Sequence, residues 1–236
     1  MKRKIISIFT IALLSLSNLL GLTQATAQEV VNTPLTQEEW KATPLYQGSY
    51  IGMDILGLGS KILGGDYTST EISAEVNLKN RYFPVIEIGY GSIETTNEET
   101  DIYFKTSAPY FRVGMNYNIF YKKPYLPGHF IAGVRYGFSS FSYDVAAPDM
   151  TDPVWGQPSI PVSFQGVKSN ASWLELVIGL RTNVFKNFYM GFSARYRSRI
   201  SVKKTENSEP HYIPGFGKNK GTSIGLTYNI IYKIPF

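Results

Sequence analysis

The sequence predicts an all-β fold: an eight-stranded antiparallel up-and-down transmembrane β-barrel with short periplasmic turns and longer outer loops. Three observations predict it. An export signal opens the chain, eight later segments alternate apolar with small or charged residues, and the connections between them alternate short with long. Composition agrees. Of 236 residues 43% are hydrophobic, with 17 Tyr and 14 Phe, while charged residues at 17% fall below the roughly 25% of an ordinary soluble domain. With no Cys, neither a disulfide framework nor an acylated lipoprotein anchor is available.

Residues 1–27 read as Lys2-Arg3-Lys4, an apolar stretch and the small-x-small ending Ala25-Thr26-Ala27, the layout of a signal peptide cut before Gln28. Its removal deletes three basic residues and no acidic ones, leaving 20 Lys and Arg against 18 Asp and Glu. So small an excess gives no reason to invoke nucleic acid as a partner. After Ala27 no run of about 18 apolar residues remains, so a membrane crossing has to use strands. Residues 28–45 show no sustained period and contain Pro34 and Pro44, while Thr36 three before Glu39 is a capping-box signature for a short helix. This stretch is expected to be a periplasmic leader, with the barrel occupying residues 46–236.

From Tyr46 onward the period is two. Ile51, Met53 and Ile55 share one face, with Gly52 and Asp54 on the other; Ile72, Ala74, Val76 and Leu78 alternate with Glu71, Ser73, Glu75 and Asn77. The third run sets Pro84, Ile86, Ile88 and Tyr90 against Glu87, Gly89 and Gly91, and the fourth sets Phe111, Val113, Met115 and Tyr117 against Arg112, Gly114 and Asn116. In the fifth, Phe130, Ala132, Val134, Tyr136 and Phe138 alternate with Gly133, Arg135, Gly137 and Ser139. In the sixth, Leu174, Leu176, Ile178 and Leu180 alternate with Glu175, Gly179 and Arg181. The seventh places Phe192, Ala194, Tyr196 and Ile200 opposite Ser193, Arg195, Arg197 and Arg199; the eighth runs through Ile224, Leu226, Tyr228, Ile230, Tyr232, Ile234 and Phe236.

A soluble β-sandwich also alternates, but a packed sandwich core has no use for a face of small and charged residues. Connection lengths separate the two folds. Residues 79–82, 120–128 and 184–187 form short links, and 57–70, 92–101, 140–172 and 201–220 longer ones, which places both termini in the periplasm. The longest loop carries Pro148, Pro153, Pro158 and Pro161 around Trp155. Trp155 is the outer-loop contact candidate; the alternatives are that it folds over the barrel mouth or sits at headgroup level.

An eight-stranded barrel is just wide enough for side chains to fill, so inward charges have to pair. A hairpin centred on Arg81 pairs Glu75 with Glu87, and one centred on Lys123 and Pro124 pairs Arg112 with Arg135. A loop centred near Glu99 sets Glu87 beside Arg112. Glu75, Glu87, Arg112 and Arg135 are therefore expected at one level, where Glu87 to Arg112 relieves the like-charge neighbours. A turn centred on Lys186 pairs Glu175 with Arg197 nearer the outer rim. Structural filling of the lumen is the favoured role of these six residues, and binding of a charged solute the alternative.

Tyr228, Ile230, Tyr232, Ile234 and Phe236 resemble the aromatic-ended last strand that outer-membrane barrels present to their assembly machinery. The runs 82–87, 106–114, 133–136, Asp152-Pro153-Val154-Trp155-Gly156 and Tyr212-Ile213-Pro214-Gly215-Phe216-Gly217 are similar to those of the Bacteroidota proteins grouped as domain of unknown function 6048. The resemblance covers about residues 45–236. It implies an exported outer-membrane barrel and carries no catalytic motif.

Chemistry has little to work with. There is no thiol, the only histidines are His129 and His211, and phosphate-loop, dinucleotide and calcium-loop patterns are absent. His211, with Glu206, Ser208 and Glu209 nearby, is the one hydrolase-like grouping, and a histidine among solvated loop charges is usually inert. No catalytic residue, metal or cofactor is expected. The partners expected are outer-membrane lipid and the barrel-assembly machinery. The favoured function is a closed, charge-filled barrel with a structural or surface-interaction role; a narrow channel for small solutes and an outer-membrane enzyme are the alternatives.

Overall fold

The computed structural model describes residues 33–57, 59, 67–150, 160–204 and 208–235. The segment expected as a signal peptide, Trp155 and Phe236 lie outside them. The described barrel and the segment leading into it belong to one unit, Pro34–Phe236.

Eight antiparallel strands close a ring. β1 (Tyr46–Asp54), β2 (Tyr67–Leu78), β3 (Tyr82–Thr96), β4 (Tyr103–Asn118), β5 (Gly128–Met150), β6 (Ile160–Phe185) and β7 (Phe188–Val202) each pair with the next in sequence. β10 (Thr222–Ile234) pairs with β7 on one side and with β1 on the other, from Ser49↔Ile234 to Asp54↔Asn229. Between β7 and β10, the two-residue strands β8 (Tyr212–Ile213) and β9 (Gly217–Lys218) form a small hairpin of their own.

The period of two decides which side chains face out. Ile72, Ile86, Val113 and Ile178 are 54%, 56%, 56% and 59% exposed, whereas Glu87, Arg112 and Glu175 on the same strands are buried inside. Large aliphatic side chains left open all round a wall are the reverse of a water-soluble core. Aromatic residues fringe this band: Tyr82 packs on Tyr117 at 5.8 Å and Phe188 on Tyr232 at 5.0 Å at the short-turn end, with Tyr90, Phe111, Tyr136 and Tyr196 exposed higher up.

Expectations about the connections are corrected in two ways. The stretch 140–172 is mainly strand, because β5 and β6 stay paired from Ser140↔Asn170 through Ala147↔Val162 and meet again at Met150↔Ile160. The physical reason is a reversal of polarity past Ser139. There the inward positions become aromatic (Phe141, Tyr143) and the outward ones polar (Ser140, Ser142), so the apolar face that marks the lower strand changes sides. Likewise β3 runs on to Thr96 and β4 starts at Tyr103, which shortens the loop expected at 92–101.

The second correction concerns 201–220, expected as a solvated outer loop. Its middle turns into the barrel mouth, burying Tyr212, Ile213, Pro214 and Phe216 against Phe104, Tyr110, Phe141, Tyr143 and Trp173. The main apolar core therefore lies inside the long-hairpin end, with Phe216 edge-on to Trp173 at 5.9 Å. Gly215 makes this possible. Its φ is +82° and a Cβ there would stand 2.5 Å from Cγ of Tyr110, so only glycine fits.

At the opposite end the capping-box expectation holds. In α1 (Gln37–Ala42) the Glu39 amide donates to Thr36 Oγ1 at 3.3 Å and the Thr36 amide to Glu39 Oε2 at 2.8 Å. Trp40 Nε1 donates to the Lys79 carbonyl at 3.1 Å, and the Leu35 amide to the Lys122 carbonyl at 2.7 Å. The Arg81 guanidinium lies 4.6–5.2 Å from the rings of Trp40, Tyr82, Tyr117 and Tyr121, pinning the leading segment to the turn end of the wall.

Candidate functional site

Four strand pairings position the charges. Glu87 faces Arg112 across β3 and β4, and Glu175 faces Arg197 across β6 and β7, both as expected. Glu75 faces Val85 rather than Glu87, and Arg112 faces Gly137 rather than Arg135. The first shift has a local cause. Lys79 and Asn80 both take positive φ, 54° and 55°, which centres the turn on Asn80 instead of Arg81 and displaces the register by two residues. Glu75, Glu87, Arg112 and Arg135 thus do not share one level; Arg135 faces Glu175 instead.

Side chains complete a network that backbone register only begins. Glu87 accepts from Arg112 Nη1 at 3.1 Å, Arg135 Nε at 3.1 Å and Arg195 Nη1 at 2.8 Å. Glu71 accepts from Arg195 Nη2 at 3.0 Å, from the Tyr110 hydroxyl at 3.0 Å and from Arg112 Nη1. Glu175, expected nearer the rim, is instead fully buried in the central layer. Its Oε1 accepts from Trp173 Nε1 at 2.7 Å and lies 2.9 Å from Arg112 Nε and 3.3 Å from Arg197 Nε. One step toward the short turns, Glu75 accepts from Arg181 Nη2 at 2.8 Å, and Asn116 links Glu75 at 3.3 Å to Arg135 at 2.8 Å.

Arg112 and Arg197 also reach upward. Arg112 Nη2 donates to the Gly215 carbonyl at 2.9 Å and Arg197 Nη1 to the Phe216 carbonyl at 3.1 Å. The charge layer and the apolar plug above it are one bonded unit. Beside the layer remains a cavity of ≈ 30 Å³, between Glu75, Glu87, Arg135 and Arg195. That is room for about one or two water molecules.

Sequence reasoning missed Glu71, Arg181 and Arg195 as network members. Alternation had already turned all three inward. What it lacked was reach: it paired only neighbouring strands, whereas Arg195 of β7 crosses the lumen to Glu71 of β2 and Glu87 of β3.

The remaining candidates are placed as follows. Tyr228, Ile230, Tyr232 and Ile234 project outward from β10, and Ile230, Tyr232 and Ile234 are exposed there. Ser208 bonds to the Tyr143 hydroxyl at 3.0 Å, Glu209 to Lys204 at 2.9 Å, and His211 stands edge-on to Phe104 at 5.9 Å. The hydrogen bond from Lys204 holds the Glu209 carboxyl below its ordinary range. Of the four residues suggested as a hydrolase grouping, Ser208, Glu209 and His211 are thus each engaged elsewhere, and Glu206 lies outside the described residues. Among the described residues no cluster of His, Asp and Glu has the makings of a metal site.

An eight-stranded antiparallel barrel with an apolar exterior and a salt-bridged, plugged interior defines the class of protein. The chain belongs to the family described as Domain of unknown function (DUF6048), which matches residues 1–236. No curated protein and no solved structure matches it.

Proposed function

We propose that this chain is a small outer-membrane β-barrel of Bacteroidota, exported by its signal peptide, with a closed, charge-filled lumen and a structural or surface-interaction role. The observation that carries the reading is the outward face. Apolar from the short turns up to Tyr90, Phe111 and Phe138, it turns polar beyond them at Glu94, Lys105 and Ser142, as a wall leaving lipid for water would. β5 and β6, at 23 and 26 residues, far exceed the roughly 9–11 residues a membrane-crossing strand needs. Their hairpin is the natural surface for an external partner. Outer-membrane lipid covers the apolar band, and the outward aromatics of β10 address the barrel-assembly machinery.

A narrow channel is the weaker reading: a pocket of ≈ 280 Å³ reaches Glu71, Arg112 and Arg197 from the plug side, but only ≈ 30 Å³ is open on the short-turn side of the charge layer. A surface enzyme is weaker still, given the separate engagements of Ser208, Glu209 and His211.

The chain has no cysteine, so single-cysteine labelling tests location and topology cleanly. With a membrane-impermeant maleimide on intact cells, Lys168→Cys on the β5–β6 hairpin should label. Leu126→Cys in the link before β5 should label only after lysis. Labelling of Leu126→Cys alone in intact cells would reverse the topology, and labelling of neither before lysis would remove the surface location.

A further inference from the structure

The wall has a step above the end of β1. That strand stops at Asp54, while β2 continues past it through residues 67–70 and β10 through residues 222–228. The Asp54 side chain makes the stop. Its Oδ1 accepts from the Leu56 amide at 3.0 Å, turning the chain out of the strand, and from the Tyr228 amide of β10 at 3.1 Å. Behind the step lies a pocket of ≈ 280 Å³, lined by Asp54, Ser69 and Ser223 and reaching Arg197 at the charge layer.

Two charged groups each present one free atom to this space. Asp54 is only 6% exposed, and with Oδ1 spent on backbone amides its Oδ2 has no hydrogen-bond partner among the described residues. Arg197 gives Nη1 to the Phe216 carbonyl and turns Nε toward Glu175, which leaves Nη2 without one. Both free atoms keep accessible surface, whereas Arg197 Nε is sealed. Nη2 lies over Gly225, where a Cβ would stand 2.7 Å from it. The other charges on the pocket wall, Glu71 and Arg112, are bonded to each other, so the pocket offers one unspent acid oxygen and one unspent guanidinium donor. A nearly buried carboxylate oxygen calls for a charged donor, and a free guanidinium edge for an anionic acceptor. Tyr228, which holds Asp54, and Gly225, beneath Arg197, are three residues apart on β10, about 10 Å at the rise of a strand. With a charge-assisted hydrogen bond of about 2.8 Å at each end, about 4 Å remains between the two charges of a ligand.

We infer that this pocket binds a small zwitterion of the amino-acid class, with its ammonium on Asp54 Oδ2 and its carboxylate on Arg197 Nη2. A ligand with only one of the two charges leaves the other protein atom unpaired, and that is what selects the zwitterion. The site needs only the upper lumen, so it stands independently of the membrane location and of the surface role proposed above.

The test is calorimetric titration of the full chain, folded in detergent micelles, with alanine and with γ-aminobutyrate, whose charges lie at different separations. The controls are the same carbon chains with one charge removed: propionate and ethylammonium for alanine, butyrate and propylammonium for γ-aminobutyrate. At least one of the two zwitterions should bind saturably, with both of its single-charge analogues about tenfold weaker or worse. Asp54→Asn keeps an oxygen for the Leu56 and Tyr228 amides and removes the charge. It should lose about tenfold or more for the zwitterion while binding the matching carboxylate as the native chain does, a split that a merely structural role would not produce. Heat-modifiable gel migration checks that the variant is folded; should it misfold, the comparison of analogues on the native chain decides. Absence of saturable binding by both zwitterions, a single-charge analogue binding as tightly as its zwitterion, or full zwitterion affinity in folded Asp54→Asn would overturn the proposal.

Discussion

Glu87 and Arg112 stand directly opposite each other on β3 and β4, and Arg112 Nη1 donates to Glu87 Oε2 at 3.1 Å, with the two side chains 3% and 1% exposed. Arg112 is a hub. It also bonds Glu71, lies 2.9 Å from Glu175 and holds the Gly215 carbonyl of the plug. Removing it leaves three carboxylates short of a partner and unties the plug together.

Arg112→Ala should therefore destabilise the barrel by about 3–5 kcal/mol, the usual cost of stranding buried charge. Adding Glu87→Ala removes one of the stranded carboxylates. The double variant should cost less than the two single effects together by about 1–3 kcal/mol in denaturant unfolding of lipid-inserted protein. Strict additivity would mean that the layer is wet and its pairs weakly coupled.

Gly215→Ala should loosen the plug while sparing the wall. A non-glycine residue at φ +82° costs about 1–2 kcal/mol before the clash with the Tyr110 ring is counted. Hydrogen exchange should speed up at the amides of Phe216 and Asn219, which donate to the Ile213 and His211 carbonyls, and stay slow on β4 and β5. Unchanged protection at Phe216 would argue against the tight seat described for Gly215.

Arg81→Ala should release the leading segment. Four aromatic rings surround that guanidinium, and each such contact is worth about 0.5–1 kcal/mol where water reaches it. The amides of Trp40 and Thr43 should lose protection in the variant. Lysine at this position should restore it only in part, because an ammonium does not spread over several ring faces as a guanidinium does.

The capping box adds a pH dependence. Hydrogen bonds from the Thr36 amide and hydroxyl hold the Glu39 carboxyl below its ordinary value, so its capping contribution is complete above about pH 4.3 and disappears as the pH falls through the lowered value. Protection of α1 should drop in that acidic window for the native chain and be flat across it for Glu39→Gln. Equal acid sensitivity in both would exclude Glu39 as the cause.

How much of this was legible without coordinates depended on whether one side of the wall kept the same polarity. From Ile72 to Val76 and from Leu174 to Leu180 it did, and alternation located strand and face. Above Ser139 the outward face turns polar and Phe141 and Tyr143 turn in, so the upper halves of β5 and β6 looked like loop. Register was legible at Glu87↔Arg112 and Glu175↔Arg197, and slipped at Glu75 because nothing in the composition marks Lys79 as a positive-φ residue. The plug has no period to detect. Its one signal was the run Tyr212-Ile213-Pro214-Gly215-Phe216, apolar between charged neighbours.

The central claim is a closed lumen in a membrane-inserted barrel, and planar-bilayer recording on the purified, lipid-reconstituted chain tests it most directly, with heat-modifiable migration as proof of insertion. The account predicts an inserted barrel that is electrically silent, because the Glu87–Arg112 layer and the Phe216 plug block the same passage in series. Stable, stepwise ion conductance from the folded native chain would contradict it.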